Sequence, residues 1–246
     1  MLPIVIAHRG WSAKAPENTM AAFREAMRFG VDGIELDVHM TRDGHVVICH
    51  DDRLDRTTNG AGLIAEHTLD EIRRLDAGSW FSPEFAGEPL PTLRELLEAI
   101  AASSWRGVIN IELKTTGADR YPGMEKAVAD LLRAFDLTRF ALISSFDHDA
   151  LAETKRVDEE LETAILYASA LDEPWAYAER LRCRTLHPVH TAATSEIIAG
   201  AHAHGVKVNA WTVDHPERAR ELARAGVDGI ITNRPDVVRQ TLAALP

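Results

Sequence analysis

An eight-stranded α/β barrel, a (β/α)8 TIM barrel with a hairpin and a short capping insertion after the second strand, is the fold this sequence predicts. Three observations lead there. Short apolar runs alternate with amphipathic stretches from one end to the other, and there are eight of each. The length, 246 residues, is the usual size of one such barrel. The first apolar run is not followed by the glycine-rich phosphate fingerprint that would favour an open doubly wound sheet.

The strand candidates are 4–7 (IVIA), 33–38 (GIELDV), 108–113 (VINIEL), 140–144 (FALIS), 163–167 (TAILY), 184–187 (RTLH), 206–211 (VKVNAW) and 229–232 (GIIT). Helices are expected near 18–29, 92–102, 122–135, 147–156, 173–182, 194–204, 215–225 and 235–244, where apolar residues recur at helical spacing. Asn18 or Thr19 should cap the first helix, and Glu17 reads as part of the same cap. The pentapeptide Gly-Val-Asp-Gly-Ile occurs at 30–34 and again at 226–230. In each copy the leading glycine should end a helix in the left-handed conformation, with a strand following at once.

One stretch breaks the alternation. The second strand runs into Thr41-Arg-Asp-Gly44, a turn signal, and then into a second apolar run ending at His50. The two runs should therefore form an antiparallel hairpin. With a turn centred on Arg42 and Asp43, His50 lies roughly opposite Glu35. Residues 51–90 follow, rich in Gly, Pro, Asp and Thr, with one helix expected near 68–76. They read as a lid within a single domain spanning 1–246.

Charge and composition narrow the function classes. Lys and Arg number 27 against 38 Asp and Glu, a formal charge of −11. So negative a chain does not bind nucleic acid or an anionic membrane by charge alone. An anionic substrate would need a few basic residues placed locally. The chain has no apolar run of about 20 residues, the length that crosses a bilayer, and its N-terminus lacks the features of a secretory signal. A cytoplasmic protein without integral membrane association is the expectation. Cys49 and Cys183 match no metal spacing and read as small buried hydrophobes.

The chemistry concentrates at strand ends. Glu35 and Asp37 stand two apart on one strand and so share a face; Asn110, Glu112 and Lys114 do the same on the next, alternating with Ile109, Ile111 and Leu113. A buried, unpaired carboxylate is costly, and a barrel strand has no water-facing side except at its C-terminal mouth. Glu35, Asp37 and Glu112 thus form a hard oxygen cluster suited to one divalent cation, Mg²⁺ or Ca²⁺; a salt-bridge network is the bland alternative. His8 and Arg9 close the first strand. With His50 brought over by the hairpin, two imidazoles, a cation site and two basic residues (Arg9 and Lys114) make a constellation for phosphoryl transfer. Phe146 and Trp211, at the ends of the fourth and seventh strands, are candidates for the substrate pocket wall. His39 reads as structural. Glu66 and Asp70 read as solvated, and His202 and His204 as favourable cations at a helix end. His187, His190 and His215 show no metal spacing.

Together the fragments His8-Arg-Gly10, Pro16-Glu-Asn-Thr19, Gly33-Ile-Glu-Leu-Asp-Val38, Thr41-Arg-Asp-Gly44, His50-Asp51 and Arg56-Thr-Thr58 closely resemble the signature of the glycerophosphodiester phosphodiesterase family. Gly60-Ala-Gly62, Pro91-Thr-Leu93, Ile111-Glu-Leu-Lys114, Ser145-Phe-Asp147 and Asn209-Ala-Trp-Thr-Val213 extend the resemblance, in family order, from residue 7 to about 235. It implies a metal-dependent phosphodiesterase that cuts small glycerophosphodiesters into sn-glycerol 3-phosphate and an alcohol. It further implies His8 and His50 as general acid and base, Arg9 and Lys114 at the phosphate, and Glu35, Asp37 and Glu112 as metal ligands. Two other readings compete: a lysophospholipase D working at membranes, which the −11 charge disfavours, and a barrel kept only for binding, which would not need these residues intact.

Overall fold

The computed structural model describes residues 2–117 and 119–245; Met1, Ala118 and Pro246, and with them the outermost positions of the 1–246 span, lie outside the described residues. Eight parallel strands close on themselves. They are β1 (Ile4–Ala7), β2 (Gly33–Met40), β4 (Val108–Leu113), β5 (Ala141–Ser145), β6 (Glu162–Tyr167), β7 (Thr185–Pro188), β8 (Lys207–Ala210) and β9 (Gly229–Thr232), and a ninth, β3 (Val46–Ile48), pairs antiparallel with β2. Around the ring each strand pairs with the next, and β1 pairs with both β9 and β2, so the sheet has no open end. The open-sheet alternative is excluded.

Helices α1 (Met20–Phe29), α3 (Leu93–Ala102), α4 (Met124–Ala134), α5 (His148–Val157), α6 (Pro174–Arg180), α7 (Ser195–Ala203), α8 (Pro216–Arg224) and α9 (Pro235–Ala243) return the chain between strands. Their ends follow from local chemistry. Thr19, not Asn18, caps α1 by accepting from the Ala22 amide at 3.3 Å. Thr92 and Glu95 form a reciprocal capping box at α3. Proline opens α6, α8 and α9, where its missing N–H costs nothing. Gly30 and Gly226 adopt φ of 79° and 85°, the left-handed turn expected of the repeated pentapeptide. Each helix lays its apolar stripe on the barrel; for α1 this is Met20, Ala22, Phe23 and Ala26. Among the described residues no helix is long and apolar enough to cross a membrane.

The hairpin differs from expectation by one residue. Val38 pairs with Ile48 and Met40 with Val46, so the register carries His50 towards Leu36 and not Glu35. The reason is the loop. It holds three residues, Arg42 to Gly44, with Gly44 at φ 82°, a conformation glycine adopts without strain. Beyond it, the expected helix near 68–76 is a single turn, α2 (Leu69–Ile72), capped by Thr68 and Glu71. Residues 51–90 gather a small apolar core of their own, Leu54, Ile64, Ile72, Ala77 and Leu90, against Val47 and Cys49 of the hairpin. Contacts of the segment with the C-terminal side of the barrel include Arg56 on Glu17, Asp52 on the Gly117 amide, and Glu88 on the Ala21 amide.

Candidate active site

Register puts the polar residues of the barrel together. Across β2 and β4, Glu35 stands beside Asn110 and Asp37 beside Glu112; across β4 and β5, Glu112 stands beside Ser144. One ligand oxygen from each of Glu35, Asp37 and Glu112 lies within 4.8 Å of the others. A cavity at this C-terminal end is lined by His8, Arg9, Glu35, His50, Glu112 and Lys114, with Asn110, Ser144, Phe146 and Trp211 among its other walls. Every residue proposed from the sequence for catalysis, substrate or metal lines it except Asp37, which is buried against Arg9 and Lys114. Concavities of about 830 and 890 Å³ occur at the opposite strand ends. They hold no comparable cluster, and active sites of barrels open at the C-terminal face.

The basic residues grip the carboxylates from two sides. Lys114 Nζ donates to Glu112 Oε1 at 2.8 Å and stands 3.5 Å from Asp37 Oδ1. Arg9 adopts φ 55°, which turns its amide onto Glu35 Oε2 at 2.9 Å while its guanidinium spans Glu17 (2.8 Å) and Asp37 (3.4 Å). The next residue must be glycine. At Gly10, φ is 77° and a Cβ would lie 2.7 Å from the Ala22 carbonyl carbon. Asn18, also left-handed at φ 57°, donates from Nδ2 to Asp37 Oδ2 at 2.8 Å. It orients a carboxylate instead of capping the helix. Glu17, too, is no cap: it bridges Arg9 and Arg56, which hold its carboxyl below the usual range although burial opposes them.

Electrostatics show how these carboxylates share their charge. Burial, with Asp37 and Glu112 beside it, raises Glu35 well above an ordinary glutamate. Glu112 rises to about 7, from burial first and Asp37 second. Asp37 moves the other way, to about 2, because Lys114 and Arg9 outweigh its burial. Two fixed cations thus settle one carboxylate and leave two short of positive charge. A divalent cation with hard oxygen preference fits that deficit and that donor set.

The two imidazoles have different partners. His8 Nδ1 meets Asn233 Oδ1 at 2.7 Å, and Asn233 is oriented by donating from Nδ2 to Asp214 Oδ2 at 2.7 Å. The amide therefore presents an acceptor, His8 carries its proton on Nδ1, and Nε2, 3.9 Å from Glu35, offers a lone pair to the cavity. Burial and then Arg9 push His8 down to about 4. His50 Nδ1 instead meets a carboxylate, Asp51 Oδ1, at 2.6 Å, and Asp51 is in turn held by Arg56. Burial lowers His50 as well, with Arg9 and Lys114 contributing against the pull of Asp37. His39 bonds Tyr121 and the His50 carbonyl and so fixes the end of the hairpin. Phe146 and Trp211 pack edge to face, 5.6 Å apart, at the rim. Asn233, Asp214, Asn18 and Asp51 were not singled out from the sequence as site residues.

Comparison with known proteins agrees with this geometry. The model of the glycerophosphoryl diester phosphodiesterase family matches residues 8–237. The chain is 44% identical over 238 residues to a protein of Caldanaerobacter subterraneus subsp. tengcongensis named glycerophosphodiester phosphodiesterase, covering 97% of each. Among solved structures it resembles an Oleispira antarctica phosphodiesterase in complex with the product sn-glycerol-3-phosphate, with a TM-score of 0.90, 34% identity and 99% and 98% of the two chains covered. It also resembles a glycerophosphodiester phosphodiesterase from Agrobacterium tumefaciens, with a TM-score of 0.84, 30% identity and 97% and 100% covered. The chain belongs to the glycerophosphoryl diester phosphodiesterase family.

Proposed function

We propose that this protein hydrolyses glycerophosphodiesters to sn-glycerol 3-phosphate and an alcohol, with His8 and His50 moving protons and Glu35, Asp37 and Glu112 holding one Mg²⁺ or Ca²⁺. The observation that carries this reading is that two imidazoles with unlike partners line one cavity with Glu35 and Glu112, and a ligand oxygen of Asp37 lies within 4.8 Å of theirs. The cation, when bound, supplies positive charge for the phosphate oxygens. Arg9 and Lys114 reach the same anion and orient it between the histidines. His8, neutral and with Nε2 free, accepts the proton of the attacking oxygen. That oxygen forms the new bond to phosphorus as the bond to the alcohol breaks. His50, braced by the Asp51 carboxylate, donates a proton to the departing oxygen. The attacking oxygen is that of water, or it is the substrate's own glycerol 2-hydroxyl, which forms a transient cyclic phosphate that water then opens to sn-glycerol 3-phosphate. Segment 51–90 and the Phe146–Trp211 pair flank the exit side and select the alcohol.

Assay of glycerophosphodiesters with different head groups, after chelation and with each metal added back, tests the whole reading. Release of sn-glycerol 3-phosphate that vanishes on chelation and returns with one ion is the expected result; full activity in chelator would overturn it. A 2-deoxyglycerol diester that binds but turns over very slowly would identify the 2-hydroxyl as nucleophile.

Asn233 acts through His8 and is a positioning residue. Asn233→Ala leaves the imidazole free to take either tautomer and should lower kcat roughly 5- to 150-fold, the equivalent of one buried hydrogen bond. Asn233→Asp places a carboxylate on Nδ1, which favours the imidazolium, so the acid limb of the kcat profile should move to higher pH. Unchanged profiles in both variants would remove Asn233 from the site.

A further inference from the structure

Two buried polar atoms in the barrel have no partner and lie in the wall of the same cavity: Asn110 Oδ1 and Ser144 Oγ. Both residues are almost wholly inaccessible, at 1% and 0% exposure. Barrel interiors are ordinarily filled by branched apolar side chains at such positions, and buried acceptors are ordinarily paired. Neither rule holds at these two positions, and both are neighbours of the carboxylates: Asn110 stands beside Glu35 and Ser144 beside Glu112 in the strand register. Asn110 precedes Glu112 by two residues on β4, about 6.6 Å nearer the N-terminal end of the strand. Its side chain is also one methylene shorter than that of Glu35, its neighbour in the register, and so reaches less far towards the cavity. Three carboxylates supply only part of the shell of a hard cation, which keeps several waters when bound.

We propose that Asn110 and Ser144 form the floor of the cation site, where Asn110 Oδ1 and Ser144 Oγ take hydrogen bonds from waters that the cation retains. This rests on the carboxylate site proposed above. The two side chains act on the ion at second hand, fixing its hydration without ligating it. Atoms that no protein group satisfies then bond the waters of the cation, so that replacing them weakens its binding.

The test uses the ion-free full chain as wild type, Asn110→Leu, Asn110→Ala and Ser144→Ala. Calorimetric titration with Ca²⁺ and with Mg²⁺ gives Kd, the melting temperature of the ion-free protein reports folding, and Tb³⁺ luminescence lifetimes in H₂O and D₂O count retained waters. Each variant should bind about 10- to 100-fold more weakly. The ion-free melting temperature of Asn110→Leu should be equal to or above that of wild type, because a shape-matched apolar group replaces an unpaired acceptor. The water count should not change. Kd within twofold of wild type in all variants would overturn the proposal and leave the carboxylate reading standing. One additional water on Tb³⁺ in the Asn110 variants would make Asn110 a direct ligand and overturn it also. Weaker binding accompanied by a matching fall in ion-free stability in every variant would reduce both residues to packing. A wild-type protein that takes up no ion would overturn the carboxylate reading itself.

Discussion

Replacing His8 or His50 by alanine is expected to lower kcat by about 10²–10⁴-fold while KM changes far less. The two losses should differ in their pH signatures. In the free protein burial and Arg9 hold His8 near 4, so above that pH it is neutral and can accept a proton. His50 is also lowered in the free protein, and among the causes are Arg9 and Lys114. A bound phosphate anion offsets both cations and adds its own charge, which draws His50 upward. The alkaline limb of kcat, which reports the complex, should therefore lie at higher pH than the alkaline limb of kcat/KM, which reports the free enzyme. His8→Ala should erase the acid limb and His50→Ala the alkaline one. The reverse pattern would exchange their roles, and a near-normal kcat in either variant would remove that residue from the mechanism.

The carboxylates should show the other large effect, and with opposite signs on stability. Glu35→Gln, Asp37→Asn and Glu112→Gln are each expected to cost on the order of 10³-fold in activity, the equivalent of several kcal/mol of charge stabilisation at the phosphate. Glu112 has a folded value of about 7 against an ordinary 4.5. Folding therefore favours its protonated form, and the stability it contributes below pH 4.5 is lost as pH rises through 7. Ion-free Glu112→Gln should consequently melt above wild type at about pH 8 and level with it near pH 4. Asp37 is lowered to about 2, so its contribution is present above its ordinary value of 3.8 and lost as pH falls through 2. Asp37→Asn should melt below wild type at neutral pH, since Arg9, Lys114 and Asn18 lose their partner. Calorimetry across pH checks both signs. If both ion-free variants moved in the same direction at pH 8, the division of charge within the triad would be wrong.

Much of this was legible in the sequence because it is local. Strand and helix spacing pointed to the closed barrel, since eight apolar runs alternate with helices and the first lacks the glycine-rich turn of an open doubly wound sheet. Glu35, Asp37 and Glu112 stood out because charge inside an apolar run needs a compensating partner. His50 was placed in the site by a hairpin argument whose register was off by one. Turn residues alone do not distinguish a two-residue loop from a three-residue loop with Gly44 in the left-handed conformation. Asn18 was hidden for a different reason: an asparagine before a helix looks the same whether it caps the helix or, at φ 57°, turns away to hold Asp37. Asn233 had no local signature at all. Its contact with His8 spans 225 positions of chain and exists only once the barrel has closed β9 against β1.

The hairpin and the small core beside it set the order in which the molecule can come apart. His8 ends a strand hydrogen-bonded on both sides within the ring, whereas His50 sits at the end of β3, which continues into a segment with its own thin apolar cluster. Such satellite units open at lower free energy than the body they rest on, without waiting for global unfolding. One of the two imidazoles proposed to move protons is thus attached to a part that can loosen while the carboxylates remain in place. Amide exchange should accordingly rank 51–90 ahead of the ring, and inactivation by denaturant should begin before the barrel melts.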